Sequence, residues 1–292
     1  MAKTYNDLYL DVRRALRGIG VEEAAALEAR ELICSAAGKD REEFFRDLSL
    51  YTSEAVERRT GELLARRLRG EPVAYVIGEW DFCGLTLTVT PDVLIPRTDT
   101  EVLAQEAMDL AEPLEGGARV LDLCAGSGCI GLAIATACPN VWVTLADVSA
   151  AALRVCKANI QRSGLTARAA CVAADVLQPP HPSLRDFDLI VCNPPYIRRG
   201  ELEGLDPSVR DYEPRMALDG GEDGLDFYRA IVKFWGAALK PGGHILLEVG
   251  CGQANAVEIL LGMSGFRDVR TVPDTRGIGR VVEGTRPSVD PM

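Results

Sequence analysis

Four consecutive residues, Asn193-Pro194-Pro195-Tyr196, form the pattern most specific to one chemistry. They directly follow the apolar run Phe187-Asp188-Leu189-Ile190-Val191-Cys192. That places them at the carboxyl end of a strand, on the edge where α/β sheets bind ligands. Two prolines fix φ and make the segment rigid. Such a segment can hold a poor nucleophile, a nitrogen whose lone pair is delocalised into a π system. A planar NH2 donates two hydrogens, and the Asn193 side-chain oxygen and the Pro194 carbonyl can accept one each, with Tyr196 offering a flat face. Those bonds strengthen as positive charge develops on nitrogen, so they favour the transition state over the ground state. In-line placement of methyl donor and acceptor can add on the order of 7 to 11 kcal/mol, and no general base is then strictly required. Taken alone, the tetrapeptide is equally a turn after a strand, since Asn-Pro favours turns.

A second pattern supplies the partner. Asp122-Leu123-Cys124-Ala125-Gly126-Ser127-Gly128-Cys129-Ile130-Gly131 follows a strand and opens a helix, so the backbone can approach a ligand closely at Gly126 and Gly128. Asp147 ends the next strand, where a carboxylate can accept from ribose hydroxyls. Two nucleoside cofactors compete. A dinucleotide places its pyrophosphate on the helix N-terminus; S-adenosyl-L-methionine has no phosphate and carries an amino group and a sulfonium. Asp122 suits the cation and would repel a pyrophosphate, although a solvated strand-end carboxylate explains it as well. The tetrapeptide decides for S-adenosyl-L-methionine, because a dehydrogenase gives it no task.

These two loops need a scaffold. From residue 117 onward short β-rich runs alternate with helical stretches. Strands are expected over 119–123, 141–146, 170–173, 187–192, 244–249, 269–272 and 279–283, and helices over 129–138, 149–163, 224–239 and 252–262. That alternation predicts a doubly wound α/β sheet. Before it, Leu8, Val12, Ala15, Leu16 and Ile19, and then Val56, Leu63, Leu64 and Leu68, recur at helical spacing. Period-two alternation at Leu85, Leu87 and Val89 marks a hairpin, and Thr98-Asp99-Thr100-Glu101 reads as a capping box opening a helix to about Leu110. The predicted layout is a helical domain over 1–75, a β-hairpin linker over 76–97, a catalytic α/β domain over 98–284 and a disordered tail over 285–292.

Composition removes other classes. The 292 residues are 47% hydrophobic and 26% charged, which is neither a disordered nor a collagen-like chain. Net charge is −11; residues 1–75 hold 13 basic and 14 acidic side chains, leaving 19 against 29 for the rest. So acidic a domain is a poor polyanion binder. No apolar run reaches the roughly 18 residues a membrane helix needs, and charges stand where a signal peptide has its apolar stretch, so a cytoplasmic protein is expected. Nine cysteines without a C-x-x-C pair, and only His181 and His244, predict reduced thiols, no metal site and no Ser/His/Asp machine.

The helical N-terminal segment, Val93 to Arg97, Leu121 to Gly131 and Asn193 to Tyr196 together resemble the HemK/PrmC family of protein glutamine N5-methyltransferases. The likeness spans about residues 5–284 and includes Val209-Arg210-Asp211-Tyr212-Glu213-Pro214, Ala217 to Gly224, and Leu239-Lys240-Pro241-Gly242-Gly243. It implies a Rossmann-like class I fold using S-adenosyl-L-methionine. The implied substrate is the glutamine of the Gly-Gly-Gln loop in class-I peptide chain release factors, met by a monomer without nucleic acid or membrane. It implies cofactor contacts at Asp122, Cys124, Ala125, Gly126, Ser127, Gly128, Asp147, Asp175, Val176 and Asn193. The glutamine amide would be gripped by Asn193, Pro194, Pro195 and Tyr196, the first two catalytic, with Arg97 near the site. Cys124 replaces a common glycine, which a negative φ would accommodate, and Thr98 replaces a frequent proline. A nucleic-acid amino methyltransferase, acting on adenine N6 or guanine N2, is the rival, because it shares the tetrapeptide; a non-catalytic cofactor-binding adaptor is a third reading.

Overall fold

The computed structural model describes residues 3–114 and 116–288, and the chain divides into two compact units. The first comprises the chain up to Glu79 together with Asp206–Tyr212. It holds α1 (Tyr5–Arg17), α2 (Ala25–Ala37), α3 (Arg41–Arg46), α4 (Glu54–Leu68) and α5 (Val73–Ile77). Reciprocal capping boxes start α1 (Thr4 and Asp7) and α3 (Asp40 and Glu43), and Gly38 ends α2 in the left-handed conformation. Leu8, Val12, Leu16, Leu32, Ile33, Phe44 and Leu63 form the interior. Ile19, expected on the α1 stripe, falls beyond the helix and is exposed. The inclusion of Asp206–Tyr212 was not foreseen; Tyr212 Oη donates to the Arg69 carbonyl at 3.0 Å.

The second unit spans Trp80–Leu205 and the chain from Glu213 onward. It starts with the hairpin of β1 (Glu79–Phe82) and β2 (Leu85–Thr88) and continues into α6 (Glu101–Ala111). Thus most of the segment expected as a linker belongs to this unit. Its sheet contains β3 (Arg119–Leu123), β4 (Trp142–Asp147), β5 (Ala169–Ala173), β6 (Phe187–Cys192), β7 (Leu239–Glu248), β8 (Arg267–Pro273) and β9 (Gly279–Thr285). Their order is β5-β4-β3-β6-β7-β9-β8, with β9 antiparallel to both neighbours and the other pairings parallel.

The chain builds outward from β3 through β4 to β5, then returns to lay β6 against the other side of β3. This reversal is a topological switch point, where open α/β sheets form a ligand crevice. Both sheet faces are covered, so the strands are apolar on both sides. Val120, Leu189 and Val191 pack toward α6, α7 (Cys129–Ala137) and α8 (Ala150–Arg162). Leu121, Leu123, Ile190 and Cys192 pack on the other face with Tyr228 and Trp235.

Three expectations need correction. The helix expected over 224–239 is a short α-helix, Asp226–Ala230, followed by a π-turn over Ile231–Trp235 and a 3₁₀ turn. That winding brings Trp235 Nε1 to the Val176 and Gln178 carbonyls at 3.0 and 3.1 Å, a buried pairing that regular winding is not guaranteed to reach. Strand β7 begins at Leu239, not His244. The supposed tail begins inside β9, and Arg286 N–H still donates to the Gly243 carbonyl at 2.8 Å; residues 289–292 of that tail and Glu115 lie outside the described residues.

Candidate active site

Residues Leu123 and Cys192 are register partners on β3 and β6, so the glycine loop and the tetrapeptide leave the sheet side by side. A cavity of about 450 Å³ opens there. Cys124, Ala125, Gly126, Ser127, Asp147, Asp175, Val176, Asn193 and Pro195 line it, whereas Asp122, Gly128, Pro194 and Tyr196 do not.

The loop is held from three directions. Ala125 N–H continues the sheet ladder to the Ala146 carbonyl at 3.0 Å. Asp147 accepts from Gly126 N–H at 2.9 Å and from Ser149 N–H at 2.8 Å. Asn159, fully buried on α8, donates to the Ser127 carbonyl at 2.9 Å and exchanges two bonds with Thr88 of the hairpin. This lone polar residue on an apolar helix face was the overlooked signal. Gly126 and Gly128 have φ of +55° and +82°, and a Cβ at Gly128 would meet Cys156 Sγ at 2.9 Å. Cys124 does not meet the condition under which it would replace glycine freely: its φ is +55°, left-handed rather than negative, a conformation that costs a side-chain-bearing residue about 1 to 2 kcal/mol.

The tetrapeptide is clasped from outside. Ile197 N–H donates to the Leu218 carbonyl at 3.0 Å and Gly220 N–H returns to the Ile197 carbonyl at 2.8 Å. A Cβ on Gly220 would stand 2.7 Å from Tyr196 Cα, and one on Gly224 2.4 Å from the Tyr196 carbonyl oxygen. Gln253 Nε2 donates to that same oxygen at 3.0 Å and to the Gly224 carbonyl at 3.3 Å. The Asp219–Asp226 loop and Gln253 are therefore a backbone clamp on Tyr196. Their sequence signal is the cluster of glycines at 220, 221 and 224.

The capping box expected of Thr98 and Glu101 does not form. A 3₁₀ turn over Thr98–Thr100 precedes α6, no side chain caps the helix, and Thr100 Oγ1 instead accepts from Asn193 Nδ2 at 3.2 Å. The hydroxyl's tertiary partner outcompetes the local cap. Glu101 is likewise diverted, accepting from Cys83 N–H at 3.2 Å. Arg97 lines the cavity and is ion-paired with Glu213, whose other oxygen accepts from Ile95 N–H at 3.2 Å. Burial raises the Glu213 carboxyl, and the Arg97 guanidinium opposes that rise.

Two carboxyls are buried beside the cavity. Asp122 accepts from Gly131 N–H at 2.9 Å through Oδ2, while Oδ1 has no hydrogen-bond partner. Burial, with Asp147 nearby, pushes it up to about 7. Glu248, at the end of β7, is also pushed up to about 7 by burial, against the pull of Thr100. Burial likewise lifts the Tyr196 phenol to about 12. A cavity lined by Asp147 and Asp175, with Asp122 buried two residues before the lining Cys124, fits a cationic sulfonium with a ribose better than a pyrophosphate.

The sheet order, the loop at one strand end and the rigid tetrapeptide at its neighbour define a class I methyltransferase, an enzyme that takes its methyl group from S-adenosyl-L-methionine. Residues 99–205 match the Methyltransferase small domain family and residues 7–78 the PrmC N-terminal domain family. The chain is 43% identical over 267 residues to the release factor glutamine methyltransferase of Geobacter sulfurreducens, covering 91% of this chain and 90% of that protein. It is 42% identical over 263 residues to that of Bordetella pertussis, covering 88% and 94%. The chain belongs to the release factor glutamine methyltransferase (HemK/PrmC) family. A solved methyltransferase from Pyrococcus furiosus superposes with a TM-score of 0.51 at 18% identity, over 78% of this chain and 99% of that one, a likeness of fold alone. No helix among the described residues is long and apolar enough to cross a membrane.

Proposed function

We propose that this enzyme methylates the side-chain amide nitrogen of the Gly-Gly-Gln glutamine in class-I peptide chain release factors, as a cytoplasmic monomer acting without nucleic acid or membrane. The observation that carries the reading is the setting of Asn193: its Nδ2 is given to Thr100 and lies in reach of the Glu248 carboxyl, so the atom left for a ligand is the acceptor Oδ1. An acceptor there, beside the Pro194 carbonyl, suits an NH2 group with two hydrogens to give. The names of the relatives in Geobacter and Bordetella support the substrate class.

Bound S-adenosyl-L-methionine supplies a methyl carbon on a positively charged sulfur. In this reading Cys124 to Ser127 would surround its amino acid and sulfonium with Gly128 and the buried Asp122 behind them, Asp147 would accept from the ribose hydroxyls, and Asp175 and Val176 would flank the base. Asn193 and Pro194 would hold the amide nitrogen toward the methyl carbon, while Pro195 lines the pocket and Tyr196 backs it. As the nitrogen–carbon bond forms and the sulfur–carbon bond breaks, charge builds on nitrogen and both acceptor bonds tighten. The nitrogen then gives one proton to solvent. The helical unit holds the body of the release factor.

The test is transfer of labelled methyl to a purified release factor, followed by peptide mapping. Label on the Gly-Gly-Gln glutamine is the expected result. Label on another residue, or on RNA or DNA in its place, overturns the substrate.

A further inference from the structure

Behind Asn193 sits a buried carboxyl that the chemistry above leaves without a task. Glu248 is 2% exposed, and Tyr228 Oη ties its main-chain carbonyl at 2.9 Å. Its Oε2 has no hydrogen-bond partner. Burying a carboxyl at this depth is costly unless the group is used. Its carboxyl lies in hydrogen-bond reach of the side chains of both Thr100, from the start of α6, and Asn193, from the end of β6, with Arg280 of β9 and Asp99 as the nearby charges. Tyr196, Tyr228 and Cys129 also feel its charge.

Asn193 faces an ambiguity that its own backbone cannot resolve. A carboxamide turned by 180° about its last bond has nearly the same shape but exchanges oxygen for NH2. In the wrong orientation an NH2 would meet the NH2 of the acceptor, with no lone pair to receive its hydrogen. Thr100 cannot prevent this by itself, because a hydroxyl can accept from Nδ2 or donate to Oδ1 with equal ease. It discriminates only if its own hydrogen is committed elsewhere, and Glu248 is the acceptor beside it.

We propose that Glu248 and Thr100 are positioning residues that act together: Glu248 accepts from Asn193 Nδ2 and takes the Thr100 hydrogen, Thr100 can then only accept from that same Nδ2, and Oδ1 is left facing the acceptor nitrogen. The inference rests on the reading of Asn193 as the amide-binding group. It gives Glu248 a protonation requirement. A neutral Glu248 can donate to Thr100, which frees the hydroxyl to bond Oδ1 and flip the carboxamide. Since burial raises Glu248 to about 7, turnover should fall as pH drops through that value.

The experiment measures kcat and cofactor Kd with a release factor substrate across pH 5.5 to 9. Glu248→Leu and Thr100→Val should each lower kcat about 10- to 100-fold, the scale of a misplaced reacting group, and leave Kd within about three-fold. The double variant should lose no more than either single one. Glu248→Gln, a neutral stand-in for the protonated carboxyl, should hold kcat near the acid-limb level at every pH and so lose the limb near 7. Full kcat in Thr100→Val, or an acid limb retained in Glu248→Gln, overturns the proposal; Thr100→Val carries the test if Glu248→Leu fails to fold. Asn193→Ala separates the layers. A fully active Asn193→Ala sinks the reading of the site, whereas an inactive one beside fully active Thr100→Val and Glu248→Leu sinks the positioning pair alone.

Discussion

The segments that follow β3 and β6 lie side by side, yet they are stiffened by opposite means. After β3 the chain uses glycines and a left-handed Cys124, conformations with little intrinsic preference for this path, and fixes them from outside with Asp147 and Asn159. After β6 it uses two prolines, whose φ is set before folding, and needs clamping only where they end, at Tyr196. The difference follows from what each must present. A cofactor needs close backbone approach and N–H groups, which proline forbids; an NH2 acceptor needs carbonyl oxygens held still, which proline favours.

The sharpest break of this comparison is a crossed pair of variants. Asn193→Ala should cut kcat about 10²- to 10³-fold, as loss of a preorganised transition-state partner does, with cofactor Kd nearly intact by calorimetry. Asp147→Ala should do the reverse. It removes the acceptor of two loop N–H groups as well as the proposed ribose contact, so Kd should weaken about 10- to 100-fold, a loss of roughly 1.4 to 2.8 kcal/mol, while kcat at saturation stays near the original. If both variants lose rate and affinity alike, the two segments do not divide the labour.

A further test sharpens the cofactor side. Buried Asp122 holds its proton up to about 7, far above the ordinary carboxylate value. Between about pH 4 and 7 the unfolded chain has released that proton and the folded one has kept it, so stability is greatest at the acid end and falls as pH rises through the window. Asp122→Asn should flatten this share of the fall in melting temperature, measured without cofactor; an unchanged slope would mean that the group does not titrate there. The smallest effect is expected of Cys124→Gly. Relief of the left-handed strain, offset by glycine's greater freedom when unfolded, should leave a gain of about 0.5 to 1 kcal/mol, read as a modest rise in melting temperature. A loss of stability would show that the thiol's packing outweighs the strain.

What the sequence made legible has a physical pattern. The strands, the glycine loop and Asn193 to Tyr196 were readable because their determinants are contiguous: apolar runs, turn residues and fixed φ within a few positions. The misreadings all concern groups whose partner is distant in sequence. Thr98 and Glu101 looked like a local capping box, but no side chain caps the helix, and Thr100 and Glu101 bond instead to Asn193 and Cys83, 93 and 18 residues away. The continuous helix expected over 224–239 gives way to a π-turn where Trp235 meets Val176, 59 residues earlier. Asn159 shows no role until Thr88 and Ser127 are brought beside it. Cys124 could not be assigned a φ at all, because cysteine itself carries no preference strong enough to reveal one.

The pairing of Leu123 with Cys192 has a further consequence. Neighbouring strands are separated by about 4.8 Å, a spacing set by main-chain hydrogen bonds and indifferent to side-chain identity. On the proposed assignment the methyl source and its destination are borne on two such neighbours, so the gap the methyl crosses would be gauged by the peptide backbone itself. The surrounding side chains are then free to diversify, so long as the two strands stay in register.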